Sequence, residues 1–318
     1  MLLEFDLAGA EWVVVAYLSG DPNMLSVVES GISPHVATGG FVSRASRELV
    51  EREHEVIKSI SDADTVLMLR RQFIPELLEG ERTGEFWLPR SMTIRQACKK
   101  ANHGLNYDMR YRRFALENEM PEADAKPIVE LYRTEAYPGL VDWHESIKGE
   151  LKHNDRTLEN LLGRKVRLLD QPGPDLWDKA YSFKPQSTVA DIVLDGMCLC
   201  YEDDSSLFEP MVISANVHDS LLFQYPAEPQ ERVKEFARAV RRYMSPALTA
   251  LGREFVLGVD IKAGPDWGHM HSMNLETEYL PEEWGRFWHV VEPSVDPSAE
   301  AIEDSSALVG ASVEFGEG

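Results

Sequence analysis

The fold is decided by the stretch Val212-Ile213-Ser214-Ala215-Asn216-Val217-His218-Asp219-Ser220-Leu221-Leu222-Phe223. Two apolar runs flank a short polar turn, a pattern typical of two antiparallel strands joined tightly. We predict strands over residues 213–219 and 221–225, with His218 and Asp219 presented where the chain reverses. The sequence therefore indicates an antiparallel sheet that carries a carboxylate at one end.

A second carboxylate follows an apolar run at the start of the chain, in Leu2-Leu3-Glu4-Phe5-Asp6-Leu7-Ala8-Gly9-Ala10-Glu11. We predict a strand here that leads into a helix ending near residue 18. Mg²⁺ prefers hard oxygen ligands and few protein carboxylates. Asp6 and Asp219, with the backbone carbonyl of Leu7, are therefore candidate ligands for a pair of Mg²⁺ ions, for which Mn²⁺ could substitute. Taken singly, either aspartate could merely end a strand.

A cationic helix is predicted between the two carboxylates, from about Ile94 to Tyr107 with Thr93 as its N-cap. Arg95, Lys99 and His103 recur every fourth residue and so share one face, with Asn106 and Tyr107 on nearly the same side. At 1.5 Å per residue, this stripe spans roughly 18 Å, long enough to lie along a nucleoside triphosphate. Gly104 is expected to leave backbone uncovered so that a base can approach. The alternative interpretation is a solvated cationic face.

The composition indicates a folded protein whose charge is unevenly distributed. The 318 residues are 43% hydrophobic, and the formal net charge is −22. From Glu276 onward eleven acids face one arginine, whereas residues 90–113 carry seven cations and one acid. Screening limits charge effects to about 10 Å, so phosphates would respond to the local basic face. We find no membrane span or signal segment and expect a cytoplasmic protein. Three cysteines favour a reducing compartment over a disulfide scaffold.

Further elements follow from local signals. We predict a helix capped by Ser33 with Pro34 at its first position, charged helices over residues 46–80 broken at Pro75, and a hairpin over residues 156–168. We also predict an apolar helix over 187–201, a basic amphipathic helix over 229–251 and a last strand over 255–262. The whole is an α/β protein of the α+β type, with an antiparallel sheet flanked by helices.

The ordered motifs resemble those of family A DNA polymerases, the DNA polymerase I family, from residue 3 to about 270. Asp6-Leu7-Ala8-Gly9-Ala10-Glu11-Trp12 is similar to that family's D-Y-S-Q-I-E-L, and residues 95–108 follow its R-x-x-x-K-x-x-N-F-G-x-x-Y-G. Other fragments occur in the expected order: Ser33-Pro34-His35, Tyr137-Pro138, Leu162-Gly163-Arg164, Gln186-Ser187-Thr188, Val217-His218-Asp219 and Val259-Asp260-Ile261-Lys262.

The resemblance implies template-directed DNA synthesis from dNTPs on primer–template DNA, by two-metal-ion catalysis. The implied roles are as follows: Asp6 and Asp219 as metal ligands; Arg95, Lys99 and His35 as triphosphate ligands, with Lys99 also a proton donor to pyrophosphate; Tyr107 as the stacking residue; Glu11 as the steric gate against ribose; and Gln186, His218 and Asn106 as DNA contacts. His103 stands where the family usually has Phe or Tyr, and Ser220 replaces a usual Glu beside Asp219.

The resemblance also implies a division into palm and fingers. We expect palm over 1–29, fingers over 30–155, palm again over 156–290, and an acidic, disordered tail over 291–318. The family's thumb and exonuclease domain would precede the first motif, so we expect a split or truncated polymerase, active in a viral replisome for example, with a partner chain that supplies them. Two alternatives remain: a catalytically silent DNA-binding or replisome-assembly subunit, and a single-subunit RNA polymerase relative, against which Glu11 argues.

Overall fold

The computed structural model describes residues 1–57, 62–90 and 92–275, and the predicted acidic tail therefore lies outside the described residues. The strands are β1 (Leu2–Leu7), β2 (Thr157–Glu159), β3 (Lys165–Arg167), β4 (Val212–Val217), β5 (Ser220–Gln224), β6 (Leu248–Ala250), β7 (Arg253–Phe255), β8 (Val259–Gly264) and β9 (His271–Ser272). The helices are α1 (Ala10–Ser19), α2 (Pro22–Glu29), α3 (Pro34–Ser43), α4 (Arg47–Ile57), α5 (Ala63–Phe73), α6 (Pro75–Thr83), α7 (Ile94–Leu105), α8 (Tyr111–Glu117), α9 (Glu122–Leu131), α10 (Gly139–His153), α11 (Pro174–Glu202) and α12 (Gln230–Tyr243).

The main sheet has five antiparallel strands in the order β4-β5-β1-β8-β9. Leu3, Phe5 and Leu7 of the central strand β1 are fully buried, because alternate side chains of a strand point to the same face. Glu4 and Asp6 therefore share the opposite face. The predicted antiparallel sheet flanked by helices is confirmed, and the β4–β5 hairpin reverses at His218 and Asp219 as predicted.

Two hydrophobic clusters build the core. One lies under the sheet, where Phe5, Phe223 and Phe236 of α12 meet edge to face with ring centroids 5.6 to 6.3 Å apart. The other fills the helical part. Helix α1 packs against both clusters, because it contributes Val14 to the first cluster and Trp12 to the second. The predicted palm and fingers boundaries stay predictions.

Helix α7 begins where the sequence predicts, because its first turn is capped. The Thr93 hydroxyl accepts the Gln96 backbone N–H, and the Gln96 side chain accepts the Thr93 N–H, a reciprocal capping box. The helix ends at Leu105, so Asn106 and Tyr107 lie just beyond it. Within the described ranges, none of the helices combines the length and apolar character that crossing a membrane requires.

Three predicted elements differ from the observed ones. The helix predicted over 229–251 ends at Tyr243, because Pro246 cannot continue it. A β6–β7 hairpin follows, whose turn residues Leu251 and Gly252 both have positive φ. The predicted last strand is displaced, and β8 runs over Val259–Gly264. The helix predicted over 187–201 is the second half of α11, which begins at Pro174 and continues through Pro185.

Candidate active site

Asp6 and Asp219 lie together at one end of the main sheet. Asp6 pairs with Ser220 in the β1–β5 ladder, and the next residue, Leu7, donates its N–H to the Asp219 carbonyl at 3.1 Å. Burial raises the pKa of Asp6, and the negative charge of Asp219 raises it further, whereas Lys262 opposes both. Folding thus joins two acidic residues that are more than two hundred positions apart in the chain.

The donor chemistry of this pair fits a hard divalent cation. The negative charge of Asp219 raises the pKa of Asp6, and a cation bound between the two carboxylates would compensate that repulsion. Among the described residues, no group of three or more His, Cys, Asp or Glu side chains has the arrangement of a metal site. Mg²⁺ binds with few protein ligands when substrate oxygens and water supply the others. The role predicted for the Leu7 carbonyl stays a prediction.

Ser220 contributes little to this acidic group, because its hydroxyl is largely buried and donates to the Val217 carbonyl at 3.0 Å. The sequence interpretation quoted two other residues near Asp6 within a family motif but gave them no role. Asp260 is its register partner on β8 and adds negative charge. Lys262 pairs with Glu4 at 3.0 Å and offsets part of that charge. The alternation along β1, which puts Glu4 and Asp6 on one face, was the available signal.

A cavity of about 630 Å³ lies beside the aspartates, between helix α7, helix α11 and the β4–β5 turn. Its lining brings together nine of the residues predicted for the site: Glu11, His35, Lys99, His103, Asn106, Tyr107, Gln186, His218 and Asp219. Three predicted residues, Asp6, Leu7 and Arg95, are outside this lining. Asp6 and Leu7 adjoin Asp219 on the neighbouring strand, and Arg95 lies one helical turn before Lys99.

Lys99 and His103 are exposed on the cavity side of α7, as the spacing predicts. Arg95 is partly buried, and its Nη1 donates to Nε2 of His54 on α4 at 3.1 Å. The role predicted for Gly104 needs correction. A Cβ there would lie 2.2 Å from the Met109 Cε, so the glycine makes room for a methionine that covers it. It does not leave backbone open to a base.

His35 enters the site as a neutral imidazole. Burial lowers its pKa to about 4, and the charges of Arg95 and Lys99 lower it in the same direction. The Asn102 amide donates to Nδ1 at 3.1 Å, so the ring proton lies on Nε2, where it can be donated. His35 therefore offers a hydrogen bond, and the positive charge of the site comes from α7.

Tyr107, Glu11 and His103 form a contact group at the far end of the helix. The Tyr107 hydroxyl donates to Glu11 Oε2 at 2.8 Å, and the same oxygen lies 3.7 Å from His103 Nδ1. Burial, and then the charge of Glu11, raises the pKa of Tyr107. The phenol is thus a fixed donor that orients the Glu11 carboxylate at the cavity edge.

The predicted DNA contacts differ in exposure. Gln186 and His218 are exposed, whereas Asn106 is 2% exposed. The Asn106 side-chain oxygen accepts the Tyr132 hydroxyl at 2.9 Å, which also bonds Asn102 at 3.0 Å. These asparagines therefore anchor α7 to the helical core. The sequence interpretation included Asn102 in the family pattern but gave it no role, although its position one turn after Cys98 on the buried face of α7 was a signal.

Comparison with known proteins gives concordant matches. Residues 90–269 match the family model described as DNA polymerase family A. The chain is 24% identical over 280 residues to the thermostable DNA polymerase I of Thermus thermophilus, covering 84% of this chain and 27% of that protein. It is 22% identical over 276 residues to DNA polymerase I of Treponema pallidum, covering 85% of this chain and 23% of that protein. The chain thus spans about a quarter of the length of these curated relatives.

A solved structure with the same fold is the POL domain of Pol1 from M. smegmatis in complex with DNA primer-template and dNTP. The TM-score is 0.59 at 20% identity, over 84% of this chain and 40% of that one. At this identity the likeness concerns the fold. It agrees with the antiparallel sheet and flanking helices described above.

Proposed function

The chain belongs to DNA polymerase family A, and we propose that it carries a centre for template-directed DNA synthesis that transfers a deoxynucleotide from a dNTP to a primer 3′-hydroxyl. One observation supports this most strongly: Asp219, Lys99 and His35 line a single cavity, with Asp6 directly beside Asp219. A carboxylate pair opposite a cationic helix is the charge pattern that nucleotidyl transfer requires, since one side must hold cations and the other phosphates.

Each of these residues has a defined task in the proposal. Asp6 and Asp219 would hold two Mg²⁺ ions, which when bound compensate charge on the attacking and leaving oxygens. Lys99 meets the phosphates and donates a proton to the departing pyrophosphate. His35 donates from Nε2 to a phosphate oxygen. Glu11, oriented by Tyr107, occupies the space that a ribose 2′-hydroxyl would need.

Gln186 and His218 complete the proposed site. Both are exposed, and both line the cavity beside Asp219, where a primer end would have to approach the carboxylates. Asn106 supports α7 from the core side, and its predicted DNA contact stays a prediction. The predicted partner chain also stays a prediction.

Primer extension with Mg²⁺ and all four dNTPs tests the proposal, comparing the wild-type chain with Asp219→Asn. The substitution keeps the side-chain size and removes the charge, so extension should fall by at least about a hundredfold if that carboxylate holds metal. Asp203→Asn is the matched control, because Asp203 is an acid that accepts the Tyr243 hydroxyl and is outside the cavity lining. Equal extension by wild type and Asp219→Asn would refute the assignment.

A second candidate is a catalytically silent DNA-binding or replisome-assembly subunit, and Ser220 is the observation that favours it. The hydroxyl is committed to the Val217 carbonyl, so the position beside Asp219 adds no carboxylate. This candidate predicts primer–template binding without dNTP incorporation. A gel-shift assay run in parallel with primer extension separates the two functions, since measurable incorporation that depends on Asp219 excludes the silent subunit.

A further inference from the structure

Helix α4 approaches the first turn of α7 with two adjacent residues, Glu53 and His54. Both contact the segment that leads into the cationic stripe. Helices α4 and α5 precede residues 90–269, the range that matches the family model. These contacts therefore join a part of the chain outside that match to the helix that carries Arg95 and Lys99.

The bonds of His54 define its tautomer. An arginine can only donate, so His54 Nε2 is the acceptor for Arg95 Nη1 at 3.1 Å. The ring proton is then on Nδ1, which lies 3.3 Å from the Thr93 hydroxyl oxygen and can donate to it. Thr93 caps α7. A neutral imidazole thus links the helix cap to the first cation of the stripe.

A buried ion pair fixes the segment that leads into α7. Glu53 and Arg70 of α5 have side chains that are 0% and 4% exposed, and Arg70 Nε donates to Glu53 Oε1 at 2.7 Å. The other carboxylate oxygen accepts the Ile94 backbone N–H at 2.6 Å. Arg70 also donates to the Pro89 and Met92 carbonyls, at 2.6 and 3.0 Å. The connection into α7 is therefore fixed by charge-assisted bonds from two helices.

We propose that His54 is a positioning residue for Arg95, holding its guanidinium at the N-terminal end of the stripe so that it meets the distal phosphates of a bound dNTP. The inference rests on the proposed function of this site. A histidine suits the task because a neutral acceptor orients an arginine without neutralising it. A carboxylate at the same place would compete with phosphate for the guanidinium.

The test compares His54→Gln with His54→Asn in primer extension. The glutamine amide oxygen reaches the position of Nε2 and can accept from Arg95, whereas the asparagine amide reaches only the position of Nδ1. We expect His54→Gln to keep KM for dNTP within about threefold of wild type. We expect His54→Asn to raise it by about tenfold with kcat within about twofold, the scale of one lost hydrogen bond in ground-state binding. Equal KM values for the two variants would overturn the proposal.

A double-mutant cycle separates positioning from a merely structural role. With Arg95→Ala already present, His54→Asn should change KM by less than about twofold, because its partner is gone. Arg52→Ala is the matched control on α4, since Arg52 pairs with Glu76 on the outer surface and should leave KM unchanged. A His54→Asn effect of the same size with and without Arg95, or an equal effect from Arg52→Ala, would contradict the inference.

Direct dNTP binding distinguishes failure of this inference from failure of the proposed function. Calorimetric titration of dTTP into wild type, His54→Gln and His54→Asn should reproduce the KM pattern as dissociation constants. If wild type binds dTTP but extends no primer, the polymerase proposal fails and the binding series still decides the role of His54. If wild type neither binds nor extends, both fail. If all three proteins bind equally, only the positioning role is overturned.

Discussion

The side chain of Lys99 reaches the cavity from the middle of α7, while its neighbour Lys100 points elsewhere and donates to the Glu117 carbonyl at 3.3 Å. Adjacent lysines thus provide a matched comparison. Lys99→Ala should lower the single-turnover rate of nucleotide incorporation by about two to three orders of magnitude, the scale for removing a general acid or a transition-state charge partner. Lys100→Ala should stay within about threefold of wild type. A change under threefold for Lys99→Ala would contradict its placement.

Glu11 should control the choice of sugar. Glu11→Ala removes the carboxylate that would clash with a 2′-hydroxyl and leaves the Tyr107 hydroxyl without its acceptor. We expect the ratio of kcat/KM for dNTP over rNTP to fall by about tenfold or more, as specificity falls when a steric contact is lost. Glu11→Gln keeps both size and acceptor and should retain most of the discrimination. Unchanged sugar selectivity in Glu11→Ala would refute the steric-gate role of Glu11. Efficient use of rNTPs by the wild-type chain would favour the RNA polymerase alternative.

His35 should titrate with a pKa of about 4, below its ordinary 6.5, because burial and two cations disfavour the imidazolium. The charge of Lys99 repels the imidazolium form of His35, so Lys99→Ala should raise the pKa of His35. Lys100→Ala should leave the pKa of His35 unchanged. Titration of the ring resonances by NMR measures the pKa of His35 in each protein.

The pKa of His35 also makes the stability of the protein depend on pH, with a sign that follows from linkage. Between pH 6.5 and 4 the unfolded chain binds the proton and the folded chain does not, so this residue makes stability fall as the pH drops. His35→Gln should reduce that slope.

Elements whose ends carry local signals could be predicted from the sequence. Thr93 and Gln96 mark the start of α7, and the β4–β5 hairpin follows from two apolar runs around a turn. The missed boundaries have two causes. Helix α12 ends at Tyr243 because Pro246 follows and the next segment pairs as a hairpin, so the prediction of a helix to residue 251 overlooked a local signal. By contrast, Pro185 indicates a break by local rules, yet α11 runs through it, packed against both clusters.

The residues of the site also fall into those that the sequence could predict and those that it could not. The placement of Asp219 and Lys99 around one cavity, with Asp6 beside Asp219, could be predicted from the residue types and from the family motifs, and the roles of the three residues stay proposals. His54 could not, because its importance comes only from a contact with Arg95, a residue remote in sequence. Asn102 and Asp260 stand within quoted family motifs, but their partners could not be predicted, because those lie on another helix or strand. Periodicity identifies the face on which a residue lies, and only packing identifies the partner it meets there.

Gly104 gives an element-scale test of the corrected interpretation. A Cβ at this position in α7 would overlap the end of the Met109 side chain, at 2.2 Å from Cε and 2.7 Å from Sδ. Gly104→Ala alone should therefore forgo the gain of up to about 1 kcal/mol that alanine brings to a helix. In a Met109→Ala background the same substitution should stabilise the protein. Urea denaturation of the four proteins in the cycle measures the difference. An identical effect of Gly104→Ala in both backgrounds would show that contact with Met109 is not the reason for a glycine at position 104.

At the scale of the whole molecule, the sheet and the helical part must keep a fixed relation for the aspartates to face α7. Helix α1 supplies one connection, since it belongs to both hydrophobic clusters. Asp21, just after α1, supplies another. Its Oδ1 accepts the backbone N–H groups of Asn23 and Met24 and so caps α2, and its Oδ2 accepts the Gly139 N–H at 2.7 Å at the start of α10. The fully buried carboxylate of Asp21 thereby connects the turn between α1 and α2 to the start of α10, 118 residues away in sequence.

Asp21→Ala should consequently destabilise the protein more than loss of an ordinary helix cap. It removes a cap, worth about 1 kcal/mol, and also leaves the partly buried Gly139 N–H without its acceptor, for a total of about 2 to 4 kcal/mol in urea denaturation. Asp62→Ala is the matched control, because Asp62 caps α5 by accepting the Thr65 N–H at an exposed position, and its loss should cost only about 1 kcal/mol. If the two substitutions destabilise equally, the bond to Gly139 adds nothing. The other outcome is that Asp21→Ala lowers the free energy of unfolding more than Asp62→Ala does, and also lowers primer extension by more than the loss of folded protein explains. In that case the bond from Asp21 to Gly139 helps to hold the aspartates and α7 in their relative positions.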